Sequence, residues 1–308
     1  MRVGFIGGSG IYEALPLSDT REVAVETPYG DPSAPLTIGA FEGTDREVVF
    51  LPRHGRNHEY SPTDLPYRAN VHALKQLGVT HVIASNAVGS LREDLPPRTL
   101  VVPDQLFDRT KRRPLSFFGD GLVVHQPFAD PYCPELAGVL AEVAREAAAS
   151  DGNGTRDAAD DGGAETDESA GSFDVVEGGT YVCIEGPQYS TRAESEFYRA
   201  QGWDVVGMTA VPEAKLAREA ELAYATVAGV TDYDVWKAGS EVTLEEVLAN
   251  AANNEVAVRA TVERAIRTLP ADHECDCHRA LAGTINTPAE AVPEATRERV
   301  DLLVGDYL

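Results

Sequence analysis

Short apolar runs alternate with amphipathic helical patterns along most of this 308-residue chain, and no other feature narrows the fold so far. Strand-like runs fall at residues 2–6, 47–51, 81–85, 99–103, 179–184, 204–207 and 223–229; helical periodicity falls at 66–77, 134–149, 192–201, 212–222 and 243–269. Alternation of this kind covers a mostly parallel sheet with helices. The expected fold class is α/β: a single domain over residues 1–308, with a central mixed, mostly parallel β-sheet flanked by helices. Residues 150–172 break the pattern. They hold Asp151, Asp157, Asp160, Asp161, Glu165, Asp167 and Glu168 but no Val, Ile, Leu, Phe, Tyr or Trp. A stretch without apolar side chains cannot bury a core, so it reads as an acidic, disordered insertion within the domain.

Charge excludes one class of partner. The chain has 26 basic and 50 acidic residues for a net −24, and lysine occurs only at Lys75, Lys111, Lys215 and Lys237. Repulsion from a phosphate backbone argues against nucleic acid, and no basic stripe or basic helix is present. A hydrated, lysine-poor acidic surface suits a high-salt cytoplasm, where salt screens self-repulsion; the rival reading is a surface for a cationic partner. No apolar run approaches bilayer length and no secretory signal pattern opens the chain, so no membrane association and a cytoplasmic location are expected. Four cysteines make no disulfide framework. With only His278 beside Cys275 and Cys277, a zinc site there lacks ligands, so no metal is expected. Two free thiols are the reading, with a bridging or redox-labile pair as the alternative.

The runs at 203–207 and 223–229 lead into Met208-Thr209 and Asp232-Tyr233-Asp234. Ligands collect at the carboxyl ends of strands in α/β folds. A carboxylate flanked by Val227, Val230, Tyr233, Val235 and Trp236 is desolvated, which raises its pKa and lets it hold a proton for a leaving base. The plainer alternative is a solvated turn that caps the next helix. Gly7-Gly8-Ser9-Gly10 follows the first strand, its backbone amides and the Ser9 hydroxyl suited to an anion. It lacks the third glycine of a dinucleotide fingerprint and the lysine of a P-loop, which removes an oxidoreductase reading. Arg53-His54-Gly55-Arg56-Asn57-His58 offers guanidinium forks for phosphate and an imidazole donor that pH can switch. Asn86-Ala87-Val88-Gly89-Ser90 again closes a strand. Glu185 to Glu194 forms a turn into a helix, with Ser190 or Thr191 as cap and Glu194 near capping-box spacing, and Tyr189 suits stacking on a flat base.

Together and in order, these motifs resemble the methylthioadenosine phosphorylase branch of the trimeric purine nucleoside phosphorylases. The likeness runs through Gly7-Gly8-Ser9-Gly10, Thr27-Pro28-Tyr29-Gly30, Arg53-His54-Gly55-Arg56, Tyr67-Arg68-Ala69-Asn70, Asn86-Ala87-Val88-Gly89-Ser90-Leu91, Asp104-Gln105, Glu185-Gly186-Pro187, Met208-Thr209 and Asp232-Tyr233-Asp234-Val235-Trp236-Lys237. It implies a nucleoside phosphorylase-like domain that cleaves a purine nucleoside with inorganic phosphate as co-substrate and needs no cofactor, in methionine and purine salvage. It places Ser9, Arg53, His54, Asn86, Ala87 and Thr209 around phosphate. Met208, Tyr189, Tyr233, Asp232 and Asp234 fall to the nucleoside, with Asp232 as general acid at purine N7 and Asp234 as its catalytic partner. Ser190, Leu244 and His125 are assigned to specificity: Leu244 with Val247 and Leu248 as an apolar 5′ pocket or as core, and His125 from a neighbouring subunit of a homotrimer or dimer of trimers. Two carboxylates suit adenine, whereas Asn86 is common in the 6-oxopurine branch, so a 6-oxopurine nucleoside or methylthioinosine phosphorylase is the alternative. A nucleoside sensor without turnover is disfavoured because Asp232 and Arg53 are both present.

Overall fold

The computed structural model describes residues 1–8, 15–151, 173–239, 242–270 and 275–308. Ser9, Gly10 and nearly all of the acidic stretch lie outside the described residues. Eleven strands join in one sheet: β1 (Arg2–Gly7), β2 (Leu17–Val23), β3 (Leu36–Phe41), β4 (Glu47–Pro52), β5 (Val79–Ser90), β6 (Leu100–Val102), β7 (Gln105–Arg109), β8 (Val175–Glu177), β9 (Thr180–Ile184), β10 (Val205–Gly207) and β11 (Ala223–Asp232). The order is β2-β3-β4-β1-β5-β10-β9-β7, with β11 on β5 and β6, and β8 on β6. The central pairings β1 with β4, β1 with β5, and β5 with β11 are parallel. β2 and β3 add antiparallel strands at one edge. This is the expected α/β architecture.

Among the described residues six α-helices cover the sheet: α1 (Tyr67–Gln76), α2 (Pro134–Asp151), α3 (Arg192–Ala200), α4 (Ala210–Glu219), α5 (Leu244–Thr268) and α6 (Glu294–Val304). Strand side chains alternate between two faces, and here both faces are apolar. Val3, Phe5, Val48, Phe50, Ile83, Ala225 and Val227 pack with Leu136, Leu140 and Val143 of α2 and Val258, Val262 and Ile266 of α5. Ile6, Val49, Leu51, Val82, Ala84 and Tyr224 pack on the other side with Val71 and Leu74 of α1, Leu216 of α4 and Val300 and Leu303 of α6. That is why the central strands read as continuous apolar runs.

Glu219, at the end of α4, is buried and takes hydrogen bonds from Ser116 Oγ and the Phe117 backbone N–H, both at 2.7 Å. Burial pushes its carboxyl up to about 7 despite those bonds. The folded state therefore binds a proton that the unfolded state releases between about pH 4.5 and pH 7, and stability falls as pH rises through that window. Glu219→Gln is expected to flatten this decline and to stabilise the protein above pH 7 by about 1–3 kcal/mol. Denaturant midpoints at pH 5 and pH 8 check it; an unchanged pH slope would reject the assignment.

Candidate active site

Parallel register brings the sequence motifs to one edge of the sheet. Gly7 of β1 stands opposite Pro52 of β4, Ile6 stands opposite Ala84 of β5, and Ala228 of β11 stands opposite Asn86. Gly7, Arg53, the 85–90 segment and Asp232 thus share the carboxyl edge, where strand ends leave backbone groups free for ligands. β10 runs antiparallel to β5, Val205 opposite Ser90, so its far end returns Met208 and Thr209 toward Asn86. The chain passes close to itself here. A Cβ on Gly7 would meet Ser85 Oγ at 2.6 Å, and one on Gly89 would meet Asp232 Oδ1 at 2.8 Å.

At one end of the cluster, Asn86 Nδ2 donates to Thr209 Oγ1 at 2.6 Å, while its Oδ1 accepts from Thr226. Ala87 is exposed beside this pair. Arg53 is 4% exposed. Its Nε and Nη2 fork onto Glu213 at 2.9 and 3.0 Å, and its Nη1 donates to Ser85 O at 2.7 Å. These bonds leave one N–H on each terminal nitrogen. Tyr224 Oη donates to the same Glu213 carboxylate at 2.8 Å. Burial opposes the charge on Arg53, and the Glu213 carboxylate outweighs it, holding the guanidinium above its ordinary range.

His54 departs from expectation. Its Nδ1 lies 2.9 Å from Tyr60 O, which can only accept, so Nδ1 carries the proton; the ring stacks on His58 at 4.4 Å. Burial, with Arg53 adding to it, pushes His54 down to about 4. The imidazole is therefore neutral at physiological pH and presents Nε2 as an acceptor, not as the switchable donor the sequence suggested.

At the other end stand the two carboxylates, 6% and 3% exposed. Asp232 Oδ1 accepts from the Asp234 backbone N–H and Oδ2 from Thr231 Oγ1, both at 2.7 Å. Asn250 and Asn254 of α5 hold the Thr231 and Val230 carbonyls at 2.6 and 3.0 Å, which fixes the strand end. Burial raises the Asp234 carboxyl, against the nearby hydroxyls of Ser195 and Ser190. Asp234 Oδ2, Ser190 Oγ and Ser195 Oγ are buried without a hydrogen-bond partner among the described residues. The two hydroxyls thus face the raised carboxyl closely enough to oppose its shift, without a hydrogen bond of full geometry. Tyr233 stands edge-on to Trp236 at 5.7 Å and under Lys237 Nζ at 3.6 Å, and Trp236 Nε1 donates to Ser90 O.

Half-buried Met208 packs beside Gly186. Tyr189 is 43% exposed, its phenol raised by burial and by the charge of Asp232. It helps line a cleft of ≈ 270 Å³ with Ser190, Gly186 and Glu185. The helix cap is Thr191, whose Oγ1 accepts from Glu194 N at 3.3 Å while Glu194 Oε2 takes Thr191 N at 2.8 Å; Ser190 is left to face Asp234. Leu244 and Leu248 are 66% and 59% exposed, so they are not core. His125 is also exposed; its backbone N–H bonds Thr284 O, and no hydrogen bond joins it to this cluster among the described residues.

Sequence reasoning missed two residues that organise the site. Glu213 reads as an ordinary first-turn acid, and Arg113 as one of three basic residues in a row. Arg113 is buried and ties Met208 O at 2.6 Å, Glu185 O at 2.6 Å and Tyr67 Oη at 3.1 Å, joining the Glu185 and Met208 turns. Among the described residues the one group with metal-ligand spacing is Cys133, Cys275 and Cys277. It lies at the opposite edge, where Cys133 N bonds Tyr224 O near the start of β11.

This edge gathers a polar end around Arg53, Asn86 and Thr209 and an acidic end with two buried carboxylates. Residues 2–267 match the Phosphorylase superfamily, and the chain belongs to that family. The S-methyl-5'-thioadenosine phosphorylase of Koribacter versatilis (strain Ellin345) is 46% identical over 306 residues, 99% of this chain and 96% of that protein. A methylthioadenosine phosphorylase from an antarctic soil metagenomic library superposes with TM-score 0.85 at 42% identity, over 98% of each chain. The Schistosoma mansoni methylthioadenosine phosphorylase in complex with adenine gives TM-score 0.78 at 38% identity, over 91% of this chain and 96% of that one.

Proposed function

We propose that the chain is a pentosyltransferase that cleaves S-methyl-5'-thioadenosine with inorganic phosphate to adenine and 5-methylthioribose 1-phosphate. The observation that carries this reading is the Asp232–Asp234 pair, buried at the strand edge with the Ser190 and Ser195 hydroxyls near Asp234. Breaking the glycosidic bond builds positive charge on the ribose ring and negative charge on the departing base. Phosphate, between the glycine turn with Ser9, the free N–H edge of Arg53, Ala87 N and Thr209, stabilises the cation and attacks C1′. His54, neutral, takes a hydroxyl hydrogen of phosphate or ribose. Met208 lies against the ribose, and Tyr189 and Tyr233 wall the base. Asp232 delivers a proton to N7, while Asp234, the carboxyl that burial raises, accepts the 6-amino group and supplies the proton of the pair. His125 serves the 5′ end of a neighbouring copy's site, beside the exposed Leu244, in a homotrimer or dimer of trimers.

Asn86 favoured the 6-oxopurine alternative in the sequence. Its amide is spent on Thr209 and Thr226, which supports the adenine reading. Phosphate-dependent base release, measured in molar potassium chloride on methylthioadenosine, adenosine, methylthioinosine, inosine and guanosine, tests the choice. Adenine release from methylthioadenosine is expected to dominate; preference for the 6-oxo nucleosides would overturn it.

A further inference from the structure

Three thiols meet at the edge of the sheet remote from the site. Cys133 Sγ and Cys275 Sγ are 3.8 Å apart, and with Cys277 all three sulfurs lie within 4.8 Å of one another. None is in a disulfide. A tetrahedral zinc ion with Zn–S bonds of about 2.3 Å sets its sulfurs about 3.8 Å apart. Glu135 Oε2 lies 3.4 Å from Cys133 Sγ, outside the cluster of three sulfurs but next to it. We infer that Cys133, Cys275 and Cys277 form a three-thiolate site for a zinc-class thiophilic cation, its fourth position taken by water or by the Glu135 carboxylate after a side-chain rotation.

Sequence reasoning saw only the Cys275–Cys277 pair and judged a zinc site short of ligands; the fold supplies the third from 142 residues away. Cys133 and Cys277 are buried, and Cys275 is half-buried, which opens a route for the ion. The acidic surface concentrates cations around it. Binding is ligand exchange without redox change: three S–H bonds break, three protons pass to solvent, and three S–metal bonds and one O–metal bond form. The bound ion would pin the segment that carries α6 to the start of α2.

The test uses the reduced, chelator-treated full chain in molar potassium chloride, which screens adventitious binding to surface carboxylates. Cobalt(II) is titrated first and then displaced by zinc. One cobalt per chain, with sulfur-to-cobalt charge transfer that zinc abolishes and a zinc-dependent rise in Tm, is expected. Cys133→Ser and Cys277→Ser should each lose the charge transfer and the Tm response while retaining phosphorolysis. If either variant fails to fold, the wild-type charge transfer, stoichiometry and Tm shift still decide. No charge transfer, equal binding by the serine variants, or a Cys275–Cys277 disulfide in anaerobically isolated protein would overturn the site.

Discussion

Asp232→Asn lowers kcat for methylthioadenosine cleavage by about 10²–10⁴-fold, the usual contribution of a positioned general acid. The substitution is close to isosteric, and its local bonds survive: the amide oxygen still accepts the Asp234 N–H, and the amide nitrogen can donate to Thr231 Oγ1. What is lost is the transferable proton. KM should change much less than kcat, because Tyr189 and Tyr233, the proposed walls of the base, are untouched. A riboside whose leaving group needs no protonation, such as a nitrophenyl riboside, should be cleaved at near wild-type rate by the variant. An asparagine also donates where a 6-oxopurine accepts, so inosine-type cleavage is expected to rise relative to adenine release. Unchanged kinetics on both substrate classes would remove Asp232 from the mechanism.

Glu213→Ala should cost about 3–5 kcal/mol of stability, because breaking one side of a buried ion pair leaves the other charge without compensation. The Arg53 guanidinium would keep only Ser85 O, and Tyr224 Oη would lose its acceptor. A loss of that size corresponds to a Tm drop of about 6–20 °C for a chain of this class. The KM for phosphate should rise at the same time, since the fork on Glu213 aims the remaining N–H edge of Arg53. Paired with Arg53→Met in a double-mutant cycle, the second substitution should recover part of the stability but none of the phosphate affinity. Wild-type Tm together with wild-type phosphate KM in Glu213→Ala would contradict this account.

How much of this was legible in the sequence depended on burial. β1, β4, β5 and β11 are covered on both faces, so their apolar runs announced them, and the motifs at their ends marked the residues that the register brings to one edge. β2 is largely exposed and reads Leu-Ser-Asp-Thr-Arg-Glu-Val; β7 reads Gln-Leu-Phe-Asp-Arg with its ends and centre exposed. Both strands lie at the ends of the main strand order, where one side of the ladder needs no apolar partner, and neither carries the signal used. α6 was legible but passed over: Pro293 precedes it, and Thr296, Val300, Leu303 and Val304 recur at helical spacing. Glu213, Arg113 and Cys133 each have a partner far off in sequence, 160, 72 and 142 residues away, and no local pattern encodes such a partner. His54 was recognised, yet its protonation was misjudged because desolvation is a property of the fold.

Asp234 sits at φ +50°, a left-handed conformation that only glycine, asparagine and aspartate adopt readily. The backbone alone therefore favours these three residue types at this position, and of these only aspartate can carry a negative charge. Alanine scanning would confuse two separate losses here, one of chain geometry and one of proton chemistry. Asparagine alone changes the charge while keeping the turn, and glycine alone keeps the turn while deleting the side chain. Comparing those two variants gives a clean partition between shape and chemistry at a single residue.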